Sequence, residues 1–222
     1  MPAPRKTRGP WVLLTVAAAL MVGSAITAYA EFMPLLKIGT VMDQKVASLA
    51  AELVVPGPSY RSKFRVLDDC NAALNSLEGN LLAPEPRQSL LNNCKTVARM
   101  VLAEEPTYSL AWYVDALAAE GLGDDATTST SLSQSQRMTP RQEWLARSRA
   151  ILAERHMRTL SAEAEEAYHQ DLALLVQSRL GAAWVAQRYV TDPEFREMIT
   201  AIVEQLPAAA QRQFLSAVRS AS

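Results

Sequence analysis

The sequence predicts an all-α protein: an N-terminal transmembrane helix followed by a small array of antiparallel helix hairpins. Three observations predict it. The run from Trp11 to Ala30 is apolar in the main and carries no charge. Only 8 of the 222 residues are glycine, and alanine, leucine, glutamate, glutamine and arginine, all strong helix formers, are abundant. Apolar residues recur at steps of three and four through most of the chain, while β-branched residues form no alternating runs.

The first element is the apolar run itself. About twenty residues in helical rise match the hydrocarbon thickness of a bilayer. Arg5, Lys6 and Arg8 precede it, which predicts a cytoplasmic basic tail over residues 1–10 and export of everything after Ala30. Trp11 and Tyr29 suit the two membrane interfaces of a retained anchor over residues 11–30. A cleaved secretory signal fits the same segment, because Ala28-Tyr29-Ala30 before Glu31 reads as a signal-peptidase site. A buried helix of a soluble domain fits worse, since a core helix of this length ordinarily keeps a polar face.

Charge narrows the function classes. The chain holds 22 Lys+Arg against 23 Asp+Glu. Setting aside Arg5, Lys6 and Arg8 leaves 19 against 23, so the exported part is near −4. A mildly acidic domain lacks the clustered cations that phosphate neutralisation requires, so no nucleic acid is expected as a partner. Anionic lipid is disfavoured on the same ground.

Residues 31–58 read as a stalk. Glu31-Phe32-Met33-Pro34 is a short break, and Asp43 to Leu53 is a short amphipathic helix with Val46, Leu49, Ala50 and Leu53 on one stripe. Val54-Val55-Pro56-Gly57-Pro58 ends it. The helical domain then spans residues 59–222. Ser59 caps a helix to about Glu78, striped by Tyr60, Phe64, Leu67, Cys70 or Asn71, Leu74 and Leu77. A second helix over about 86–104 buries Leu90, Leu91, Cys94, Val97, Val101 and Leu102 and ends at Pro106. Thr107 caps a third, to about Leu122, which carries Tyr108, Trp112, Tyr113, Ala116 and Leu117.

The pattern then fails. Residues 123–138 are rich in Asp, Ser, Thr and Gln, with almost nothing to bury, and read as a flexible loop: a solvated connector, or a segment that orders on a partner. Thr139-Pro140-Arg141-Gln142 reads as a capped helix start, running to about Arg158. Ser161 opens a helix that reaches Leu180 or continues through Gly181 to Tyr189. Asp192-Pro193 opens another with Phe195, Met198, Ile199, Ile202 and Val203, and Pro207 opens the last, with Phe214, Leu215 and Val218.

Pro106 precedes Trp112 by six residues, and Gly123-Asp124 follows eleven residues after Trp112. This spacing resembles a tetratricopeptide repeat, in which a proline closes one repeat, an aromatic opens the next and a Gly-Asp turn separates paired helices. The resemblance covers about Leu90 to Asp124. Asp115 and Ala119 depart from it, standing where the family has an apolar and an aromatic residue. The resemblance implies that Pro106, Trp112 and Gly123 organise packing, and that a concave partner-binding face carries Leu110, Tyr113, Leu117 and Glu120.

Cys70 and Cys94 lie on the apolar stripes of consecutive helices, each twelve residues from a turn centred near Leu82. An antiparallel hairpin brings them to one height. They then pair as a disulfide in an oxidising compartment, or remain two buried thiols. No catalytic, metal or cofactor site is expected. His156 and His169 are the only histidines; Glu166-Ala-Tyr-His169 is half of a di-metal signature that needs the motif twice. No nucleophile elbow or phosphate-cradling loop is present.

The expectation is therefore a non-catalytic adaptor in the bacterial inner membrane, with its domain in the periplasm. It would hold other envelope proteins together, polysaccharide synthesis or export being the first pathway considered. An enzyme acting on an envelope polymer and a self-association module are the alternatives.

Overall fold

The computed structural model describes residues 9–221, and among these it forms twelve α-helices and no strand. The basic tail lies outside the described residues up to residue 8.

Helix α1 (Gly9–Ile38) is the long apolar one, thirty residues without interruption. The break expected at residues 31–34 is absent: the helix continues through Pro34. Proline forfeits one intrahelical hydrogen bond, but tertiary packing holds the turns around it, since Pro34 and Ile38 are both buried. From Trp11 to Val22 every side chain is solvent-exposed. α1 is the one helix among the described residues long and apolar enough to cross a membrane.

Residues 31–58 are no free stalk, which corrects the expected division. Helix α2 (Met42–Ala51) buries Val46 and Leu49, and Asn93 donates its side-chain amide to the Leu49 carbonyl at 2.8 Å. Leu53, expected on the same stripe, is partly exposed, while Val54 is buried in its place.

Helices α3 (Tyr60–Asn75), α4 (Leu77–Asn80) and α5 (Pro84–Glu104) follow. The first ends three residues early because Ser76 intervenes, its hydroxyl accepting from the Gly79 amide to start α4. The disulfide joins Cys70 to Cys94 with Cα atoms 5.7 Å apart. Leu67, Cys70 and Leu74 are buried as expected, but Tyr60, Phe64 and Leu77 are exposed, and Val66 and Ala73 take their share of the interior. All six apolar positions expected on α5 are buried.

Helix α6 (Ser109–Gly121) turns at Gly123, whose φ of +74° is left-handed and suits glycine. Helix α7 (Asp125–Met138) begins at once. The expected flexible loop over residues 123–138 is therefore a packed helix. Its small residues let it approach its neighbours closely, and each buried hydroxyl finds a partner. Ser131 donates to the Asp115 carboxylate at 2.6 Å, and Ser135 donates to the Ser109 carbonyl at 2.9 Å. Ser133 bonds back to the Ser129 carbonyl, and Ser129 accepts from the Ser161 amide. Buried polar groups cost little once satisfied.

Five more helices, the first with its start shifted from expectation, complete the array among the described residues. α8 (Glu143–Arg155) begins after the Thr139–Gln142 turn, and Gln142 makes no side-chain cap. Thr139 instead donates to Ser109. α9 (Ala162–Val176) is capped by Ser161, and α10 (Arg179–Thr191) starts afresh at the Ser178 cap. Asp192 caps α11 (Pro193–Glu204), and α12 (Ala208–Ala221) closes the chain's described part. Neighbouring helices pack in series: α6 on α5 and α7, α8 on α9, α10 on α9 and α12.

Candidate functional site

Of Pro106, Trp112 and Gly123, the residues expected to organise packing, Trp112 packs against the core, while Pro106 is exposed just ahead of α6 and Gly123 turns the chain at its end. The indole N–H of Trp112 donates to the Pro106 carbonyl at 2.8 Å, which ties the helix to the preceding turn. Asp115, the polar residue at an apolar position, is fully buried. Arg99 grips it through two hydrogen bonds of 2.6 and 2.7 Å, and Ser131 supplies a third.

The expected partner face on α6 does not exist as an open surface. Leu110, Tyr113 and Leu117 are 4%, 2% and 2% exposed. Tyr113 lies beside Asn75 of α3 and Ser148 of α8, and burial raises its phenol's pKa. Glu120 is half-buried and held by Arg155 and His156. The reason is packing of the surrounding helices: α3 and α8 pack on α6 as well as its sequence neighbours α5 and α7.

What stays open is the rim where α3, α6 and α8 begin. Tyr60 and Phe64, Tyr108, and Trp144 line a cavity of about 230 Å³, with Glu105, Thr107 and Gln142 as polar neighbours. Tyr60 stacks on Phe64 and on Tyr108, with ring centroids 6.3 and 5.3 Å apart. Tyr60 is 67% exposed, whereas Tyr108 is buried and its hydroxyl makes no hydrogen bond. Burial first, and the adjoining Tyr60 phenol second, raise the Tyr108 pKa well above the usual tyrosine value. The apolar spacing predicts Tyr60 and Phe64 on the buried stripe, whereas both are exposed. Only their offset from Val66 and Ala73 on the helical wheel signals otherwise.

Beneath this cradle the structure is rigidly cross-braced. Arg149, 2% exposed, forks onto Asp171, 1% exposed, at 2.6 and 2.7 Å. Its remaining N–H groups point at Ser135 and at the Thr139 carbonyl. Four helices and the turn before α8 thus share one buried polar network.

A second concavity, of about 590 Å³, opens between the end of α1 and α3, with Lys45 of α2 at its side. Glu31 anchors that junction. Its carboxylate accepts from the Ser59 amide and the Ser59 hydroxyl, each at 2.6 Å. Ser59 in turn accepts from the Ser62 amide as the cap of α3. Gly57 packs so closely on Ala30 and Glu31 that a Cβ there would stand 3.0 Å from backbone atoms of both.

Carboxylates also gather around Tyr168, where Glu154, Asp192 and Glu194 line a hollow with Arg188. Glu154 is engaged by Arg188 and by the Tyr168 hydroxyl, and Asp192 caps α11. Among the described residues no three His, Cys, Asp or Glu side chains cluster as metal ligands. Cys70 and Cys94 are bonded to each other and fully buried, so neither is a free thiol.

The described residues are all-helical, with an apolar helix at the N-terminal end. No family model matches it, and neither a curated protein nor a solved structure is similar to it.

Proposed function

We propose that this chain is a non-catalytic adaptor, held in the bacterial inner membrane by residues 11–30, with its helical domain in the periplasm. The observation that carries this reading is the junction at Glu31. α1 enters the domain as one unbroken helix, and Glu31 is bonded to the cap of α3. A flexible tether would let the domain wander; this one fixes its height and orientation above the bilayer. The disulfide supports an oxidising compartment.

The same junction favours the retained anchor over the cleaved signal. The Ala30–Glu31 bond lies inside a helix, and severing it would make Glu31 the new chain end. The aromatic cradle of Tyr60, Phe64 and Trp144 is the surface for another envelope protein, since exposed aromatics beside polar groups are the composition of contact hot spots. Tetratricopeptide-like stacking is the architecture we assign to the hairpins, by the Pro106–Trp112–Gly123 spacing. Polysaccharide synthesis or export is the first assembly in which we place it, on architecture alone.

A photo-crosslinking residue at Tyr60, in the full-length chain in native membranes, tests the reading. The expected product is a discrete adduct with a different membrane or periplasmic protein, lost when Trp144→Ala is added. Only self-adducts would move the assignment to self-association, with the exposed α1 face around Gly23 and Ser24 as the contact. A C-terminal tag protected from periplasmic protease would refute the topology.

A further inference from the structure

Twenty residues at about 1.5 Å each carry α1 across about 30 Å of hydrocarbon. The next turn, from Phe32 to Leu35, then falls in the headgroup layer, about 5–7 Å deep. That turn is one wall of the 590 Å³ groove, and α3 is the other. Phe32 is 63% exposed, and with Leu35 and Phe64 it forms an apolar floor.

The charges above that floor are balanced, with Lys45, Arg61 and Arg65 facing Glu31, Asp68 and Asp69. Most are already used. Glu31 serves Ser59, while Asp69 holds Lys45 at 2.6 Å and the Arg65 Nε at 3.1 Å. Arg61 and Asp68 form no ion pair among the described residues, and Arg65 donates to Asp69 through its Nε. Residues 61, 65 and 68 are spaced four and three apart, so they share one face of α3. The groove therefore offers a cationic pole and an anionic pole side by side over an apolar floor.

We propose that this groove binds a zwitterionic phospholipid with a primary ammonium headgroup. Its phosphate sits at Arg61 and Arg65, its ammonium at Asp68, and one acyl chain runs down Phe32 and Leu35 along α1. The equal count of acidic and basic groups disfavours an anionic lipid, whose net charge would find no surplus of cations. The assignment rests on α1 being a retained membrane anchor.

The test is native mass spectrometry of the full-length chain released from bilayers containing equal phosphatidylethanolamine and phosphatidylglycerol. One phosphatidylethanolamine is expected to stay bound per chain, at least tenfold over phosphatidylglycerol. Asp68→Asn should reduce that preference to about twofold or less, and Arg61→Ala should reduce retention of both lipids. Both side chains are at the surface of the groove, and a circular dichroism spectrum identical to the parent's is expected. Equal retention of the two lipids, a preference for phosphatidylglycerol, or a preference unchanged in both variants would overturn the site. Alkaline carbonate extraction separates this from failure of the anchor reading: a chain washed off membranes loses both, whereas a chain that stays embedded without lipid preference loses only the site.

Discussion

The Glu31 carboxylate accepts from both the backbone amide and the hydroxyl of Ser59, twenty-eight residues away, at 2.6 Å each. One side chain just past the apolar run of α1 thereby braces the cap of α3. The Gly57 amide adds a further bond, donating to Ser62 at 2.7 Å. The junction behaves as a weld between α1 and α3, with backbone and side chain contributing.

Glu31→Ala should destabilise the domain by about 1–2 kcal/mol, the range for losing a charged hydrogen-bond acceptor at a helix cap. It should also raise proteolytic cutting between α1 and α2 more than cutting elsewhere. Thermal unfolding in detergent, followed by limited proteolysis, reads both effects. Unchanged cutting would mean the junction holds without this contact.

Asp124 caps α7 and meets Lys95 at 3.1 Å. Bonds from the Thr127 hydroxyl, then the Thr127 amide, then Lys95 bring its pKa down to about 2. A carboxylate whose folded pKa is depressed stabilises fully above its unfolded value near 3.9, and that stability is lost as pH falls through about 2. Asp124→Ala should therefore cost about 1 kcal/mol at pH 6, and the gap from the parent should close between pH 4 and pH 2. Paired urea titrations across that range check it.

The Arg149–Asp171 pair is buried at both ends. Removing one partner leaves an uncompensated charge, so Arg149→Met or Asp171→Leu alone should cost about 3–5 kcal/mol. The double variant should recover much of that loss, because two apolar side chains replace two paired charges. A double-mutant cycle by chemical denaturation measures the coupling. Additive losses would show that Ser135 and Thr139, rather than Asp171, hold Arg149.

The Cys70–Cys94 bond closes a loop of 24 residues and should contribute about 3 kcal/mol in the chain-entropy model. Cys70→Ala/Cys94→Ala should lower the unfolding midpoint accordingly. In intact cells, alkylation under non-reducing conditions should label neither thiol of the parent chain. Labelling of both would mean the pair is reduced where the protein resides.

Caps were legible because they are local. Ser59, Ser161 and Asp192 each accept from an amide three residues on, a bond that lies within one helical turn; only the added hold of Glu31 on Ser59 comes from elsewhere in the chain. The approach of Cys70 to Cys94 was legible because helical period and hairpin symmetry set the two residues at one height; that they are bonded comes from the structure. Helix α7 was not. Its serines carry no apolar period, and their burial depends on Asp115, Ser109 and Ser161, which only folding brings near. The partner face on α6 failed for the same cause, as α3 and α8 cover it.

The sequence by itself determined an all-helical chain, the long apolar helix at its start, most helix ends and the matched height of Cys70 and Cys94. These follow from backbone propensity and from apolar spacing, which act within a turn or a hairpin. Tertiary structure alone decided that residues 31–58 join the domain, that residues 123–138 fold, and that Tyr60 and Phe64 face outward. A polar group can be buried only where a distant partner satisfies it, and an apolar one stays exposed only where no neighbour covers it. Both conditions are set by the assembled helices.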